Sequence, residues 1–192
     1  MVKRILIIFT AFFTLLSATV SFAEPAPQLS SDSWILVDRL TNMKLAARNE
    51  NKKVNPGNSV LLMVVYTAEK LMDEKQIRPT DKIMVNNDAL SIPPLNAARF
   101  YLEPNKSITY NELVKAIAVM GANDAAIALA EGLCKTIDSF VEKMNENAQK
   151  LGMKNTHYTS PIGSKSVEQY STASDTLILA NALLLSLIHI SE

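Results

Sequence analysis

The stretch Ile108–Glu131, ITYNELVKAIAVMGANDAAIALAE, decides the fold. Thr109-Tyr-Asn-Glu112 fits a capping box, in which the threonine oxygen and the glutamate carboxylate each accept from the other residue's backbone N–H. A helix is expected to follow, carrying Leu113, Ile117 and Met120. Gly121-Ala-Asn-Asp124 interrupts that helix and is expected to cap the next one, Ala125 to about Leu133, so that two helices meet at a short polar corner.

Outward from this pair, helical signals continue. A helix from about Ser139 to Leu151 places Phe140, Val141, Met144, Ala148 and Leu151 on one stripe, with Gly152 as its stop. Thr172-Ala-Ser-Asp175 repeats the capping-box pattern before the apolar run Leu177 to Leu185. Toward the N-terminus, Ser59 to about Glu74 crowds Val60, Leu61, Met63, Val64 and Leu71 onto more than one face, which suggests a buried helix. Leu61 to Val65 also suits a strand. Lys82 to Val85 reads as a short strand, and Pro93-Pro94 as an irregular connection. Trp34–Asp38 and Met43–Arg48 flank the turn-prone Thr41-Asn42, the pattern of a β-hairpin. Two strands alone are marginal, so the hairpin needs further strands or a covering helix. The expected fold is α+β and mostly helical, with an N-terminal hairpin and an incomplete sheet.

Bulk properties narrow the function. Lys3 and Arg4 precede an apolar block, Ile5 to Val20, that ends at Ser21-Phe22-Ala23. This is the layout of a secretory signal peptide over residues 1–23, with an uncleaved anchor as the alternative. The block is shorter than the ~20 residues of a spanning helix. Residues 24–33 read as a lead segment and 34–184 as one domain, well within single-domain size. Nineteen Lys and Arg balance nineteen Asp and Glu. No basic stripe with interleaved aromatics is present, which argues against a nucleic-acid partner. Export implies an oxidising compartment, yet Cys134 is the only cysteine, and a buried helix thiol is the expected reading.

Four phrases occur together in order: SWILVD…LAARNENKKVNPGNS, ITYNELVKAIAVMGANDAAIALAE, FVEKMNENAQKLGMKNTHYTSPIG and QYSTASDTLILANALL. Together they resemble the N-terminal part of the serine D-alanyl-D-alanine carboxypeptidases, the low-molecular-mass penicillin-binding proteins, over roughly Ser33 to Leu184. The resemblance implies the helical subdomain of a penicillin-binding protein/β-lactamase-like fold, and a cleft where three motifs converge. In S-x-x-K the serine attacks the D-Ala-D-Ala carbonyl and the lysine, one turn on, assists proton transfer. In S-x-N the serine shuttles a proton and the asparagine orients substrate. K-T-G lies on a strand and helps hold the substrate carboxylate.

Placed on this chain, the motifs are degenerate. Aligning Pro56 with the family's proline puts Asn58 at the nucleophile position and Leu61 at the lysine position. Shifting by one makes Ser59 the nucleophile, but Leu62 then stands where lysine belongs; no serine in the chain is followed three residues later by lysine. A serine without a neighbouring base is a weak nucleophile, and Ser59 is read instead as a helix N-cap. Gly121 occupies the serine position of S-x-N and has no hydroxyl; Asn123 is retained, as a candidate for substrate binding or as a helix cap. Lys135-Thr136, followed by Ile137, is a chance dipeptide, and K-T-G is absent from the sequence. The final LSLIHISE, residues 185–192, fits no family pattern and is read as a non-native tail, so His189 and Glu192 carry no functional weight.

Other chemistry is weaker. Gly57 to Leu61 half-matches a nucleophile elbow without its second glycine. His157 lies in a family phrase and is expected to be structural. One histidine outside the tail and one cysteine make no metal cluster, and neither a phosphate-cradling loop nor a dinucleotide fingerprint is present, so no cofactor is expected. The favoured expectation is an exported, cell-envelope or periplasmic relative of the carboxypeptidases that has lost activity. It would meet peptidoglycan stem peptides or β-lactams weakly, and membrane only through the signal segment if that is uncleaved. The alternatives are an active enzyme using Ser59, and a truncated, non-enzymatic module that binds a partner or itself.

Overall fold

The structure, a computed structural model, describes residues 28–94, 96–163 and 166–190. The expected signal peptide, residues 24–27 of the lead segment and the last two residues of the expected tail lie outside them. From Ser31 onward the elements run β1 (Trp34–Val37), β2 (Lys44–Arg48), a 3-10 turn (Gly57–Ser59), α1 (Val60–Lys75), β3 (Lys82–Met84), α2 (Asp88–Ser91), β4 (Ser107–Thr109), α3 (Tyr110–Met120), α4 (Asn123–Cys134), α5 (Ile137–Leu151) and α6 (Ala173–Ile190).

Helix α4 is the core of this domain. Every residue from Asn123 to Ala130 is buried, as an all-round apolar helix must be. Around it pack α1, α2, α3, α5 and strand β3. Its alanines at 125, 126, 128 and 130 keep its girth small, and large side chains from the neighbours, including Met63, Leu113, Phe140 and Met144, fill the remaining space.

The sheet is divided. Strands β1 and β2 form the expected antiparallel hairpin, with Trp34 opposite Arg48 and Leu36 opposite Ala46. The Asp38 carboxylate accepts from the Thr41 N–H at 2.8 Å and hydroxyl at 2.6 Å, closing the turn that carries Asn42 at φ 56°. Strand β4, which the sequence reading did not expect, pairs with β3 through Ile83 opposite Ile108. Each pair leans on a helix, β1 on α6 and β3 on α4, which is the support that two-stranded sheets require.

The caps explain the boundaries. Thr109 Oγ1 accepts from the Glu112 N–H, and the Glu112 carboxylate accepts from the Thr109 N–H at 3.0 Å, completing the expected box. Helix α3 stops at Gly121, which adopts φ 66° and donates to the Ile117 carbonyl. Helix α5 starts with Thr136 accepting from the Ser139 N–H and ends at Gly152, φ 81°. At α6 only half of the expected box forms. Thr172 Oγ1 accepts from the Asp175 N–H at 3.0 Å, but the Asp175 carboxylate turns away to accept from the Asn155 N–H and the Thr156 hydroxyl, both at 2.8 Å. That choice ties the segment after α5 to the start of α6. Helix α6 continues to Ile190, so residues 185–190 extend the helix.

Candidate functional site

The degenerate motifs meet in one place. The chain reaches α1 through Asn55-Pro56-Gly57, where Asn55 Oδ1 accepts from the Gly57 N–H at 2.9 Å and Gly57 takes φ 52°. Val54 is bridged to Ser171, so this approach is anchored beside the start of α6. Asn58 then stands exposed at the head of α1, and Leu61, one turn on, is 6% exposed. Across from them is the α3–α4 corner. A Cβ at Gly121 would stand 3.9 Å from Leu61 Cδ1. Asn58, Leu61, Leu62, Val65, Ile117, Ala118, Gly121 and Leu183 together line a cleft of about 290 Å³.

Among the described residues lining this cleft, none is ionisable. Its walls are aliphatic and its polar side chain is the Asn58 amide, which neither loses a proton near neutral pH nor attacks a carbonyl. A loop also approaches it closely: a Cβ on Gly163 would lie 3.0 Å from both Asn58 Oδ1 and the Gly57 carbonyl carbon. Buried Gln169 shapes that loop, its side-chain oxygen accepting from the Thr159 and Ser160 N–H groups and its NH2 donating to the Ile162 carbonyl. Sequence reasoning missed Gln169, because an amide between turn residues carries no local signal of such a role.

Ser59 lies elsewhere. It contributes to a separate cavity of about 390 Å³ bounded by Trp34, Val54, Pro56, Thr172, Leu177 and neighbouring residues. Its hydroxyl donates to the Pro56 carbonyl at 2.6 Å. The expected N-cap is therefore corrected: Ser59 holds the N-cap position, but its backbone is helical and its oxygen accepts no N–H of the first turn.

Asn123 is also corrected as a cap. The N-cap of α4 is Ala122, without a side-chain bond, and Asn123 is the first helical residue. Only 2% exposed, it donates its NH2 to the carbonyls of Ala98 at 3.3 Å and Gly121 at 3.1 Å, and it is not among the residues lining the cleft. Its neighbour Asp124 carries the larger structural role. Fully buried, its carboxylate accepts from the N–H groups of Phe100 at 2.8 Å and Leu102 at 3.2 Å, as well as Ala125.

The remaining candidates are structural in position. His157 pairs with Tyr170 through both backbone groups, and the two ring centroids lie 6.1 Å apart. Cys134, expected as a buried helix thiol, ends α4 and is half-buried, and that burial pushes its thiol above the ordinary range. Lys135-Thr136 forms the α4–α5 corner, with Lys135 at φ 67°. Among the described residues no cluster of three or more His, Cys, Asp or Glu is placed to hold a metal ion. Burial pushes the Tyr158 hydroxyl up strongly, with the Asp175 carboxylate adding to it, and pushes Tyr110 up with help from Glu69 and Asp73.

The cleft thus lies between the head of α1 and the α3–α4 corner and is lined with aliphatic side chains. Residues 20–191 match the D-alanyl-D-alanine carboxypeptidase family, and the chain belongs to that family. It is 33% identical over 152 residues to the D-alanyl-D-alanine carboxypeptidase DacF of Bacillus subtilis, covering 79% of this chain and 38% of the relative. With DacC of Escherichia coli it shares 32% identity over 181 residues, 91% of this chain and 45% of the relative. The crystal structure of penicillin binding protein 6B from Escherichia coli superposes with a TM-score of 0.77 at 30% identity, covering 85% of this chain and 52% of that one. Penicillin binding protein 5 from Haemophilus influenzae gives 0.78 at 28% identity, over 84% and 47%. The chain thus spans about half the length of these relatives, or less.

Proposed function

We propose that this chain is a non-hydrolytic relative of the D-Ala-D-Ala carboxypeptidases, which keeps the helical side of the family's cleft without its proton-transfer groups. The observation that carries this reading is the convergence of Asn58, Leu61 and Gly121 on one aliphatic cleft. Acyl transfer needs a nucleophile whose proton is taken by a positioned base. An amide replaces the nucleophile, an isobutyl group replaces the amine that would accept its proton, and a hydrogen replaces the shuttling hydroxyl. What the cleft retains is apolar surface beside one donor–acceptor amide, enough for weak contact with the end of a peptidoglycan stem peptide or with a β-lactam. Export to the cell envelope belongs to the same reading, supported by Lys3, Arg4, the apolar block and the small residues after it. No helix of the described residues is long and apolar enough to cross a membrane.

Release of D-alanine from a peptide ending in D-Ala-D-Ala tests the proposal. The purified mature protein should release none above the buffer rate. A rate that Asn58→Ala or Ser59→Ala abolishes would overturn it. Hydrolysis through Ser59 has little support, since the residue lines the other cavity and its hydroxyl is bonded to the Pro56 carbonyl. Self-association has a specific observation in its favour: Leu62, Val119, Met120, Leu184 and Leu185 are all exposed, and apolar patches favour association. Light scattering across a concentration series reads it directly.

A further inference from the structure

The loop between α2 and β4 is fixed at many points yet ends in an exposed aromatic side chain in a disfavoured backbone conformation. Arg99 anchors one side, donating to the carbonyls of Leu90 at 2.8 Å, Pro93, and Pro94 at 3.3 Å. The Ala98 carbonyl accepts from the Asn123 N–H at 2.8 Å. On the other side Val85 exchanges backbone bonds with Asn105 and Lys106, all at 2.9 Å. Between these anchors, the buried Asp124 carboxylate accepts from the N–H groups of residues 100 and 102. Those two bonds clasp the chain on either side of Tyr101 and hold it at φ 60°. A bulky residue rarely adopts this conformation, because its Cβ crowds the backbone. Nor does burial of the ring compensate: Tyr101 is 83% exposed. Folding alone gives no reason for a tyrosine there, and strain maintained by its surroundings is a mark of functional positions.

Beside the ring is a cavity of about 260 Å³ whose lining includes Phe100 and Tyr101 together with Glu103, Lys106, Ser107 and Glu112; Lys106 pairs with Glu103, and the Glu112 carboxylate also accepts from the Thr109 N–H. We propose that Tyr101 and this cavity form a binding site for a single saccharide ring, the C–H face of the sugar stacking on the tyrosine and its hydroxyls meeting the polar wall. The negative face of an aromatic ring attracts the weakly positive C–H groups of a sugar. Carboxylates and a serine hydroxyl supply acceptors and a donor for sugar hydroxyls. The cavity's size suits one ring. Lys106 is paired with Glu103 at 2.6 Å, so the Glu112 carboxylate leaves the wall with a net negative charge, which disfavours phosphate-rich ligands, both nucleic acid and anionic lipid. The clasp pre-forms the platform, so little conformational freedom is lost on binding.

Chitotriose, a neutral oligosaccharide, is the probe, titrated against the full chain and followed by NMR shifts, with a thermal melt of each variant. The parent should bind in the millimolar range or tighter, with shifts centred on residues 100–108. Tyr101→Phe should hold Kd within about threefold, and Tyr101→Gly should weaken binding at least about tenfold. The glycine variant should melt at or above the parent temperature, because glycine accepts positive φ without crowding. Absence of chitotriose binding by the parent would overturn the proposal, as would a Kd that Tyr101→Gly leaves unchanged. A melting temperature lowered by several degrees in Tyr101→Gly would assign the ring a packing role and overturn it as well. Tyr101-dependent binding to anionic vesicles without chitotriose binding would assign it to a membrane surface instead.

Discussion

Leu61 and Leu62 are adjacent in α1, and their unequal burial gives a sharp test of how the degenerate motif sits. Leu61 is 6% exposed and stands at the lysine position of the frame that begins at Asn58; Leu62, at the lysine position of the rival frame from Ser59, is 38% exposed. Buried Leu→Ala changes cost about 2–5 kcal/mol, the low end applying where one side of the residue borders open space. Leu61 borders the cleft, so Leu61→Ala should lose about 2–3 kcal/mol. A domain of this size loses about 2–4 °C in Tm per kcal/mol, which gives a fall of about 4–12 °C. Leu62→Ala should lose about 1 kcal/mol, because a smaller share of its surface is removed from water. Paired melts by circular dichroism, with urea titrations to verify a constant m-value, separate the two. Equal losses, or a larger loss at Leu62, would refute the register of α1 and with it the placement of Leu61 in the cleft wall.

Three further outcomes follow from single contacts. Thr109→Ala removes the acceptor for the Glu112 N–H and should cost about 1 kcal/mol by urea denaturation; no change would mean the capping box is not formed in solution. Gly163→Ala places a methyl 3.0 Å from Asn58 Oδ1 and the Gly57 carbonyl carbon, and should destabilise by about 1–3 kcal/mol because the backbone atom cannot swing aside; a neutral result would detach this loop from Asn58. Burial, and secondarily the Asp88 carboxylate, push Glu131 above the ordinary glutamate value of 4.5. The folded state therefore holds this proton longer than the unfolded state, and the stability it contributes is present at acid pH and lost as pH rises through the folded value. Glu131→Gln should flatten the fall of Tm as pH rises above 4.5, and an unchanged slope would place its cause elsewhere.

The helices were legible because their signals are local. Thr109 and Glu112 are three apart, Gly121 and Gly152 are the stops that positive φ requires, and the stripe of α5 repeats at helical spacing. Strand β4 was not legible: Ser107-Ile-Thr109 offers a single apolar residue, and its strand character comes from pairing with β3, more than twenty residues earlier in the chain. The division of labour between Asn123 and Asp124 was hidden for a similar reason. Either can cap a helix, and the arrival of residues 98–102 decides that the carboxylate clasps that loop while the amide joins Ala98 to Gly121. Ser59 misled because serine at a helix entrance so often accepts a first-turn N–H, whereas the turn through Pro56 offers its hydroxyl a nearer carbonyl. Family spacing places Asn58, Leu61 and Gly121 together, since it records a three-dimensional arrangement that local pattern does not. The clasped Tyr101 left no mark in the sequence, because its conformation is imposed by Asp124 across the fold.

The most direct measurement is the intact mass of the folded, purified protein after exposure to benzylpenicillin. Among the described residues lining the cleft none is a nucleophile or a base, and on the proposed non-hydrolytic reading the mass should remain that of the unmodified chain. A covalent adduct of one penicillin per chain, mapped to Ser59 or to any residue of the cleft and lost when that residue is replaced, would contradict the account.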